Sequence, residues 1–543
     1  MKKSSLLLIL LALAGAAPAH AQGKVKIKTK QAAPARKAAD WSVEYAKLVS
    51  AERLRAHLAV LASDEYEGRE TGQKGQHMAA AYVATQFKNA GLTGPVPGTD
   101  DPYQQHFNVE QVTWAEGATL KVGGTSYAWL TDFYGLNDSP FAEETTVKPV
   151  FVGYGIEQPG YSDYAGLDVK GKDLLVLLGE PTGEGGKALL STDGAPTKWG
   201  LDYRGKAQLA AQKGARTVFF VSFNPTSNFA KQMARLTPTI LRPTTVMPGK
   251  EPSRAPAFFV SAAVGLAALG TTDAAMQAYL ARINAASQPV ASPFAVAAMQ
   301  VQANRKRVAL DTQNVLGFIE GTDKKADVLV VSAHHDHLGI QNGVVFNGAD
   351  DDGSGTSAII TMAEAFAQAK KDGHGPRRSL LFLSVTGEEK GLFGSEYYSK
   401  HPIFPLAATA ADLNVDMIGR TDPAHEGKPD YVYVIGSDKL ASELKVLNEA
   451  QNKRYAGLDL DYKYDDPADP NRFYYRSDHY NFAVHKIPVA FFFNGTHADY
   501  HRETDEIDKI EFGKMEKRAR LVFHLAWELA NREERLVVDS DKP

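Results

Sequence analysis

Cysteine is absent from the 543 residues of the chain. Its absence excludes a disulfide framework, a cysteine-linked lipid anchor and a thiolate metal site, so a bound zinc ion would need nitrogen and oxygen ligands. Positive charge is not in excess either, because 60 Lys and Arg stand against 64 Asp and Glu, which gives a net charge of -4. This mildly acidic balance gives no reason to expect a nucleic-acid partner.

Long uncharged runs are scarce as well. One apolar run, at 6–17, follows Lys2 and Lys3 and precedes the small-residue site 19–21. This is the layout of a cleavable secretory signal, and about a dozen residues are too few to cross a bilayer. We therefore expect residues 1–21 to direct export to the periplasm or the medium, and we expect no stable membrane insertion. Residues 22–40 lack periodicity and predict a disordered lead-in.

The pattern of apolar residues divides the remaining chain. Helical spacing occurs at 42–62 and 76–90, and short strand-like runs with Gly and Pro turns fill 137–284. From residue 314 onward, strand-like runs alternate with helical segments such as 355–371, which predicts an α/β fold with a mostly parallel or mixed sheet flanked by helices. We expect one α/β domain, at 41–136 and 285–543, that is interrupted by a mainly β insertion at 137–284.

Polar residues gather where the predicted strands end. Four apolar runs lead into His334, Glu389, Asp416 and the loop that contains His501. A fifth cluster, at 347–355, is acidic and opens a predicted helix. Because ligands bind at the carboxyl ends of strands in an open α/β sheet, we expect these groups to converge at one edge.

Two imidazoles and three carboxylates suit two zinc ions that share one carboxylate. Such a pair of metals, about 3.5 to 4 Å apart, can lower the pKa of water, polarise a scissile carbonyl and anchor a substrate amine. A further group must accept the proton of the water. The adjacent Glu388 and Glu389 fit this division of labour, since one can bind metal while the other acts as general base.

The clusters match a known pattern in order, type and spacing. They lie at 334–337, 348–355, 387–395, 414–417 and 500–505, and with them the chain resembles the M28 family of co-catalytic zinc peptidases. Ser332 stands where that family usually has Gly, and Asp352-Gly353 replaces a common Asn-Ala; neither departure removes a ligand. The stretch 61–72 also resembles the opening segment of the family.

The resemblance implies a role for each site residue. One zinc ion would be held by His334 and Asp416, the other by Glu389 and His501, with Asp351 bridging them. Glu388 would be the general base, and Asp336 would orient His334. Asp351 is preferred to Asp350 because the acidic pair of the family immediately precedes the Gly353-Ser354-Gly355 turn. The family also implies a cis peptide bond between Asp351 and Asp352.

Several other residues have two interpretations. Histidines 335 and 337 share the loop of His334, and their spacing favours a structural role over coordination, as it does for His479 and His497. Arg476 could clamp a carboxylate or form an ordinary salt bridge. Asp478 could support the site or cap the helix that follows it, and Tyr500 could donate a hydrogen bond to an oxyanion. We take these three as possible substrate-binding residues.

The insertion resembles a protease-associated domain, with landmarks at 151–156, 163–168, 171–172 and 213–215. Together the resemblances imply an exported dinuclear zinc aminopeptidase that acts on peptides with a free terminus. The alternatives are a carboxypeptidase of the same family, a receptor-like relative that has lost catalysis, and a glutamine-cyclising relative that uses one zinc ion. The preferred side chain at the cleaved end, the role of the insertion and the oligomeric state stay open.

Overall fold

A large mixed sheet covered by helices dominates this computed structural model, which describes residues 40–224, 227–249, 254–428 and 430–542. The expected signal segment at 1–21 lies outside the described residues, as does the expected lead-in apart from Asp40. Among the described residues, every helix is too short or too polar to cross a membrane.

The described residues contain thirteen α-helices. They are α1 Trp41–Ala46, α2 Ala51–Leu61, α3 Lys74–Ala90, α4 Lys198–Leu201, α5 Tyr203–Gln212, α6 Phe229–Leu241, α7 Ala262–Ala268, α8 Asp273–Ala286, α9 Gly355–Lys371, α10 Phe393–Lys400, α11 Ser442–Gln451, α12 His479–Ala483 and α13 Phe512–Asn531. The helix predicted at 355–371 is confirmed at both ends. The one predicted at 76–90 begins two residues earlier and ends at Gly91, which adopts the left-handed conformation that favours glycine.

The same part of the chain forms twenty-two strands. They are β1 Gln104–Trp114, β2 Thr119–Val122, β3 Thr125–Ala128, β4 Phe133–Leu136, β5 Phe141–Val147, β6 Val150–Phe151, β7 Glu157–Gln158, β8 Tyr161–Ser162, β9 Asp173–Leu177, β10 Thr217–Val221, β11 Thr244–Val246, β12 Ala257–Val260, β13 Met299–Ala303, β14 Arg305–Ile319, β15 Lys324–His334, β16 Gly339–Gln341, β17 Val344–Phe346, β18 Arg378–Val385, β19 Thr409–Val415, β20 Tyr431–Ile435, β21 Asp459–Asp461 and β22 Val489–Phe493.

The large sheet has nine strands in the order β11-β1-β14-β18-β15-β19-β22-β20-β21. Its four central strands, β18, β15, β19 and β22, run parallel to one another. Every residue of β18, β19 and β22 is buried, as expected for parallel strands that are covered on both faces. The carboxyl ends of the four strands therefore lie at one edge of the sheet, which confirms the predicted α/β class.

Side chains that alternate along the central strands pack into two hydrophobic layers, one on each face of the sheet. Leu329 and Val331 of β15 point into a core that includes residues of α2, α3, α9 and α13. Val328 and Val330 point to the opposite face, where they pack in a cluster with Tyr398 of α10 and Phe482 of α12. Since neighbouring side chains on a strand face opposite ways, this gives a helix–sheet–helix arrangement around the central strands.

Two smaller sheets lie between β1 and β14 in the sequence. One has the order β4-β12-β10-β9-β6, in which β6, β9, β10 and β12 are parallel, and the other has the order β3-β2-β13-β5. Helices α5 and α6 cover one face of the five-stranded sheet, while α7, α8 and the four-stranded sheet cover the other. Strands β2, β3, β4 and β13 lie beyond the limits 137 and 284 expected for the insertion.

One strand of this inserted stretch joins the large sheet. Strand β11 pairs antiparallel with β1, so that Val246 lies opposite Glu110. The side chain of Met247, which follows β11, packs beside a cluster formed by Phe107, Val109 and Phe393. The inserted stretch is thereby attached to the large sheet at its edge strand as well as through the long β1 and β14 ribbon.

A buried carboxylic acid on β19 gives the large sheet a pH-dependent contribution to stability. Burial raises the pKa of Asp412 to about 8, although a hydrogen bond from Ser332 opposes the shift. Between about pH 4 and pH 8 the unfolded chain loses this proton while the folded chain keeps it, so the free energy of unfolding falls as pH rises. In urea unfolding of metal-free protein, Asp412→Asn should reduce the loss of stability between pH 5 and pH 7 by roughly 2 to 3 kcal/mol. Parallel pH profiles for the variant and the wild type would contradict this assignment.

Candidate dinuclear metal centre

The candidate centre is assembled at the carboxyl edge of the four central strands. His334 is the last residue of β15, Glu388 and Glu389 follow β18, and Asp416 directly follows β19. The loop after β22 supplies His501. These positions follow from parallel strand order, because it aligns the ends of strands that are distant in sequence.

Asp351 lies in the irregular segment that leads into α9. Its peptide bond with Asp352 is cis, as the family resemblance implied. Neighbouring Asp350 faces away from the other candidate ligands: it accepts hydrogen bonds from Gly419 N and Ser354 Oγ and contacts His497 Nε2 at 3.1 Å. The carboxylate of Asp351 is therefore the one that faces the histidines of the candidate centre.

The first group of potential ligands surrounds the His334 imidazole. His334 Nε2 lies 3.4 Å from Asp351 Oδ1 and 3.6 Å from Asp416 Oδ1. Potential ligand atoms of these three side chains all lie within 4.8 Å of one another. Glu388 Oε2 lies 3.9 Å from the same imidazole nitrogen. Three side chains are thus placed to share one cation while Glu388 stands beside them.

The second group lies on the other side of Asp351. His501 Nε2 is 3.0 Å from Asp351 Oδ2 and 3.2 Å from Glu389 Oε2. His337 also belongs here, because its Nδ1 lies 2.8 Å from Glu389 Oε1 and potential ligand atoms of His337, Asp351 and Glu389 lie within 4.8 Å of one another. Asp351 is therefore common to both groups, one oxygen facing each.

The surroundings of His337 differ from what its sequence position indicated. Its spacing favoured a structural role over coordination, whereas its buried ring faces Glu389 and lies 6.0 Å, between ring centroids, from His501. In the sequence, the sign that a second histidine faces the site was the presence of His335 and His337 on either side of Asp336. Spacing along a loop does not reveal which of the two rings faces the site, so the sequence alone could not identify His337.

Buried polar atoms that form no hydrogen bond indicate whether these residues fit metal ions. Within the part of the chain that the structure describes, His334 Nε2, both ring nitrogens of His337 and Glu389 Oε1 are buried and form no hydrogen bond of acceptable geometry, although His337 Nδ1 and Glu389 Oε1 lie 2.8 Å apart. Such atoms normally cost free energy unless something satisfies them. All are nitrogen or carboxylate oxygen donors of the kind that zinc prefers, so the residues fit a pair of divalent cations.

The electrostatics of the two groups reflect closely packed acids and imidazoles. Burial raises the pKa of Asp351, but close contacts with the imidazoles of His334 and His501 outweigh it and hold the pKa well below its usual range. Burial lowers the pKa of His501, but the same kind of contact with Asp351 and Glu389 raises it to about 10. Concentrated negative charge at this edge therefore favours bound positive charge.

Glu388 differs from the other acids of the centre. Burial raises its pKa well above the usual range, and the nearby Asp416 and Glu389 raise it further, while His334 opposes the shift. Its side chain keeps 12% exposure, compared with 4% for Glu389. A carboxyl group with an elevated proton affinity and access to solvent suits proton transfer.

Asp336 connects the loop that follows β15 with the loop that follows β18. It is fully buried, with Oδ1 at 3.6 Å from His334 Nδ1, and the same oxygen accepts a hydrogen bond from Glu388 N. Its other oxygen accepts a hydrogen bond from Thr71 Oγ1. This arrangement fits the predicted orienting role and adds an anchor for the Glu388 backbone.

The three possible substrate-binding residues lie in different environments. Arg476 and Tyr500 line a small pocket beside the two groups, and Arg476 Nη2 lies 3.2 Å from Tyr500 Oη. Asp478 is fully buried, accepts a hydrogen bond from Ser395 and makes no side-chain cap to α12. The structure therefore brings Arg476 and Tyr500 to the site and places Asp478 behind it.

Histidines 335 and 479 lie outside both groups. The ring of His335 contacts Gln76 and Ser384, and that of His479 stacks on Phe491. These packing contacts are those expected of structural histidines.

The sequence of this edge matches a known family. Residues 314–526 match the model of peptidase family M28. This segment belongs to peptidase family M28. It contains the five proposed ligands and Glu388, and it begins within β14.

Individual relatives match parts of the chain. A probable leucine aminopeptidase of Arthroderma otae is 28% identical over 225 residues, which cover 40% of this chain and 57% of the relative. A probable glutamate carboxypeptidase of Arthroderma benhamiae is 32% identical over 105 residues, which cover 19% and 14%. The chain thus spans little more than half of one of these curated relatives and a seventh of the other.

A solved structure shares the fold of the M28 segment and its surroundings. The aminopeptidase from Aneurinibacillus sp. strain AM-1 aligns with a TM-score of 0.54 and 21% identity, covering 92% of this chain and 100% of the other. At this identity the likeness concerns the fold.

Metal content should reveal that Asp351 is shared. Asp351→Ala removes a carboxylate from both groups, whereas Asp416→Ala removes one from the first group only. After loading with zinc and dialysis, emission spectroscopy should find about two ions per chain in the wild type, about one in Asp416→Ala and fewer than one in Asp351→Ala. Two retained ions in Asp351→Ala would contradict a shared ligand.

Proposed function

We propose that the protein is a dinuclear zinc metallo-exopeptidase that removes N-terminal residues from peptides. The observation that carries this proposal is the position of Asp351 between two sets of histidine and carboxylate ligands, with Glu388 beside one of them. Membership of the 314–526 segment in peptidase family M28 supports hydrolysis of peptides as the reaction.

Five side chains would hold the two zinc ions: His334 and Asp416 one of them, Glu389 and His501 the other, with Asp351 bridging. When bound, the ions would polarise the scissile carbonyl and lower the pKa of water. Asp336 would keep the His334 ring in its orientation, and the hydrogen bond from Ser477 Oγ to Asp416 Oδ2 would do the same for that carboxylate.

Glu388 would accept a proton from the attacking water and return it to the leaving amine. Its partial exposure lets water reach the carboxylate. The hydrogen bond from Glu388 N to Asp336 fixes the backbone from which the side chain extends. The same side chain can therefore act as base and then as acid without a change of loop position.

The pocket beside the centre suits the end of a peptide. Its wall includes the proposed zinc ligands Asp351 and Asp416 and the proposed base Glu388, and its apolar part is formed by Met417, Phe473, Phe491 and Phe493. Tyr500 lies where its hydroxyl could donate a hydrogen bond to the oxyanion that forms from the substrate carbonyl. A pocket of this small size favours the end of a peptide over the middle of a chain.

Arg476 supports a second candidate function. Its exposed guanidinium lines the same pocket, and guanidinium groups bind carboxylates with two hydrogen bonds. A carboxypeptidase would use it to hold the C-terminal carboxylate of the substrate. The longer of the two matches to relatives, over 225 residues against 105, is to a probable leucine aminopeptidase, and this makes the aminopeptidase the primary proposal.

Export and an inserted domain complete the proposed organisation of the protein. Residues 1–21 would direct export, on the evidence of their charge and apolar pattern. The stretch around 137–284 would be an inserted protease-associated domain, and its two sheets and five helices have hydrophobic clusters of their own, which supports this proposal.

Glu388→Gln tests the proton-transfer role. The substitution removes the ionisable group but keeps the shape of the side chain and all five ligands, so zinc content should stay near two ions per chain. Turnover of an aminoacyl-nitroanilide should fall by about two to four decades. The matched control is Glu503→Gln, in which an exposed glutamate from the loop of His501 is changed; it should keep wild-type turnover. Near-normal activity in Glu388→Gln would remove Glu388 from the mechanism.

Blocked and unblocked substrates distinguish the two exopeptidase functions. A panel of free aminoacyl-nitroanilides should be cleaved, and a chelator should abolish cleavage. Peptides that carry an N-acetyl group and a free carboxylate should survive, because an acetylated nitrogen cannot bind at a zinc ion as a free amine would. Release of C-terminal residues from the acetylated peptides would instead support the carboxypeptidase.

A further inference from the structure

A short segment far upstream of the M28 match contacts three loops of the candidate centre, those that carry His334, Asp351 and Glu389. Residues 69–71 follow α2, whereas the match to family M28 begins at residue 314. Each of the three residues bonds to a different part of the metal-binding edge.

Arg69 has the most unusual environment of the three. Its side chain is 1% exposed, and it donates hydrogen bonds to the main-chain oxygens of Leu61, His335, Asn347 and Gly348. None of these acceptors is a carboxylate. A buried guanidinium is costly unless its donors are satisfied, so four well-placed carbonyls and the field of nearby acids must stabilise it.

The carbonyls that Arg69 binds belong to two loops that meet at the centre. His335 follows His334 directly, while Asn347 and Gly348 come just before Asp351. The planar guanidinium presents donors in fixed directions, so one side chain determines the distance between the two loops. Lysine carries the same charge but has no such fork of donors.

Thr71 and Glu70 extend the contact to the third loop. Thr71 Oγ1 lies 2.7 Å from Asp336 Oδ2, and the other oxygen of Asp336 binds Glu388 N. Glu70 Oε1 accepts a hydrogen bond from Lys390 Nζ at 2.9 Å, next to Glu389. The three loops that carry His334, Asp351 and Glu389 are therefore all bonded to one short stretch of chain.

We propose that Arg69, Glu70 and Thr71 are positioning residues that set the metal affinity of the centre. They hold the three loops at the separation at which the ligand atoms can share cations. This inference rests on the proposed function in one respect, namely that the ligands bind zinc. It adds that residues outside the M28 match are needed for that site to bind metal tightly.

Arg378 supplies a matched control for Arg69. It is also 1% exposed and donates to three main-chain oxygens, those of Leu529, Arg532 and Glu533, and it forms an ion pair with Asp327. It begins β18, at the opposite end of that strand from Glu388. Arg69→Lys and Arg378→Lys thus disturb similar buried networks, but only one of the networks contacts the centre.

The test measures zinc affinity of metal-stripped protein by competition with a chromophoric chelator, together with the midpoint of thermal unfolding without metal. Arg69→Lys should weaken binding of at least one ion by tenfold or more. Arg378→Lys should lower the unfolding midpoint while zinc affinity stays within about twofold of wild type. Thr71→Val should also weaken zinc binding, and Thr71→Ser, which keeps the hydroxyl, should restore it.

The outcomes separate the positioning role from general stability and from the proposed function. If Arg69→Lys fails to fold, the Thr71 pair decides, because Val and Ser differ little in size from Thr. Equal loss of zinc affinity in Arg69→Lys and Arg378→Lys, or wild-type affinity in Thr71→Val, would overturn the positioning role. A wild type that binds two zinc ions tightly but cleaves no peptide would overturn the proposed function and leave the positioning role standing.

Discussion

The buried carboxylate of Asp351 is the group on which the candidate centre depends. Imidazoles approach it from both sides, His334 at 3.4 Å and His501 at 3.0 Å, and Asp416 and Glu389 add negative charge at either end. Charges removed from water must be paired, so this arrangement requires cations or protonated imidazoles. The parallel strand order brings the loops that carry these side chains to one edge of the sheet. Hydrogen bonds from loops and from the upstream segment 69–71 fix the remaining geometry.

This constraint explains why so many polar groups lie under the centre. Asp505 accepts hydrogen bonds from the backbone nitrogens of Asp350 and Asp351, and Asp352 accepts them from His334 N and Met417 N. These carboxylates do not reach the ligand groups, but they orient the chain that does. Parallel apolar strands alone would bring the same loops together, but they would not fix the orientation of the ligand side chains. The centre therefore combines a generic fold with a specific network of buried acids.

Much of this arrangement could be predicted from sequence. Apolar runs that end in His334, Glu389 and Asp416 predicted the shared edge, because strand periodicity and the parallel α/β pattern are local signals. Other features were not accessible. The three-residue strand β11 has no periodicity that would predict pairing with β1. Strand β13 pairs with β5 of the inserted stretch and with β2, although β13 and β2 lie outside its expected limits, since pairing depends on partners distant in sequence. The direction of the His337 ring and the burial of Asp478 likewise depend on tertiary packing.

The most direct test of the account is the number and separation of the metal ions at Asp351. Diffraction from crystals of the zinc-loaded protein, recorded on both sides of the zinc absorption edge, locates each ion and identifies it as zinc. The account predicts two anomalous peaks about 3.5 to 4 Å apart, one on each side of the Asp351 carboxylate. A single peak, or two peaks that do not share Asp351, would contradict it.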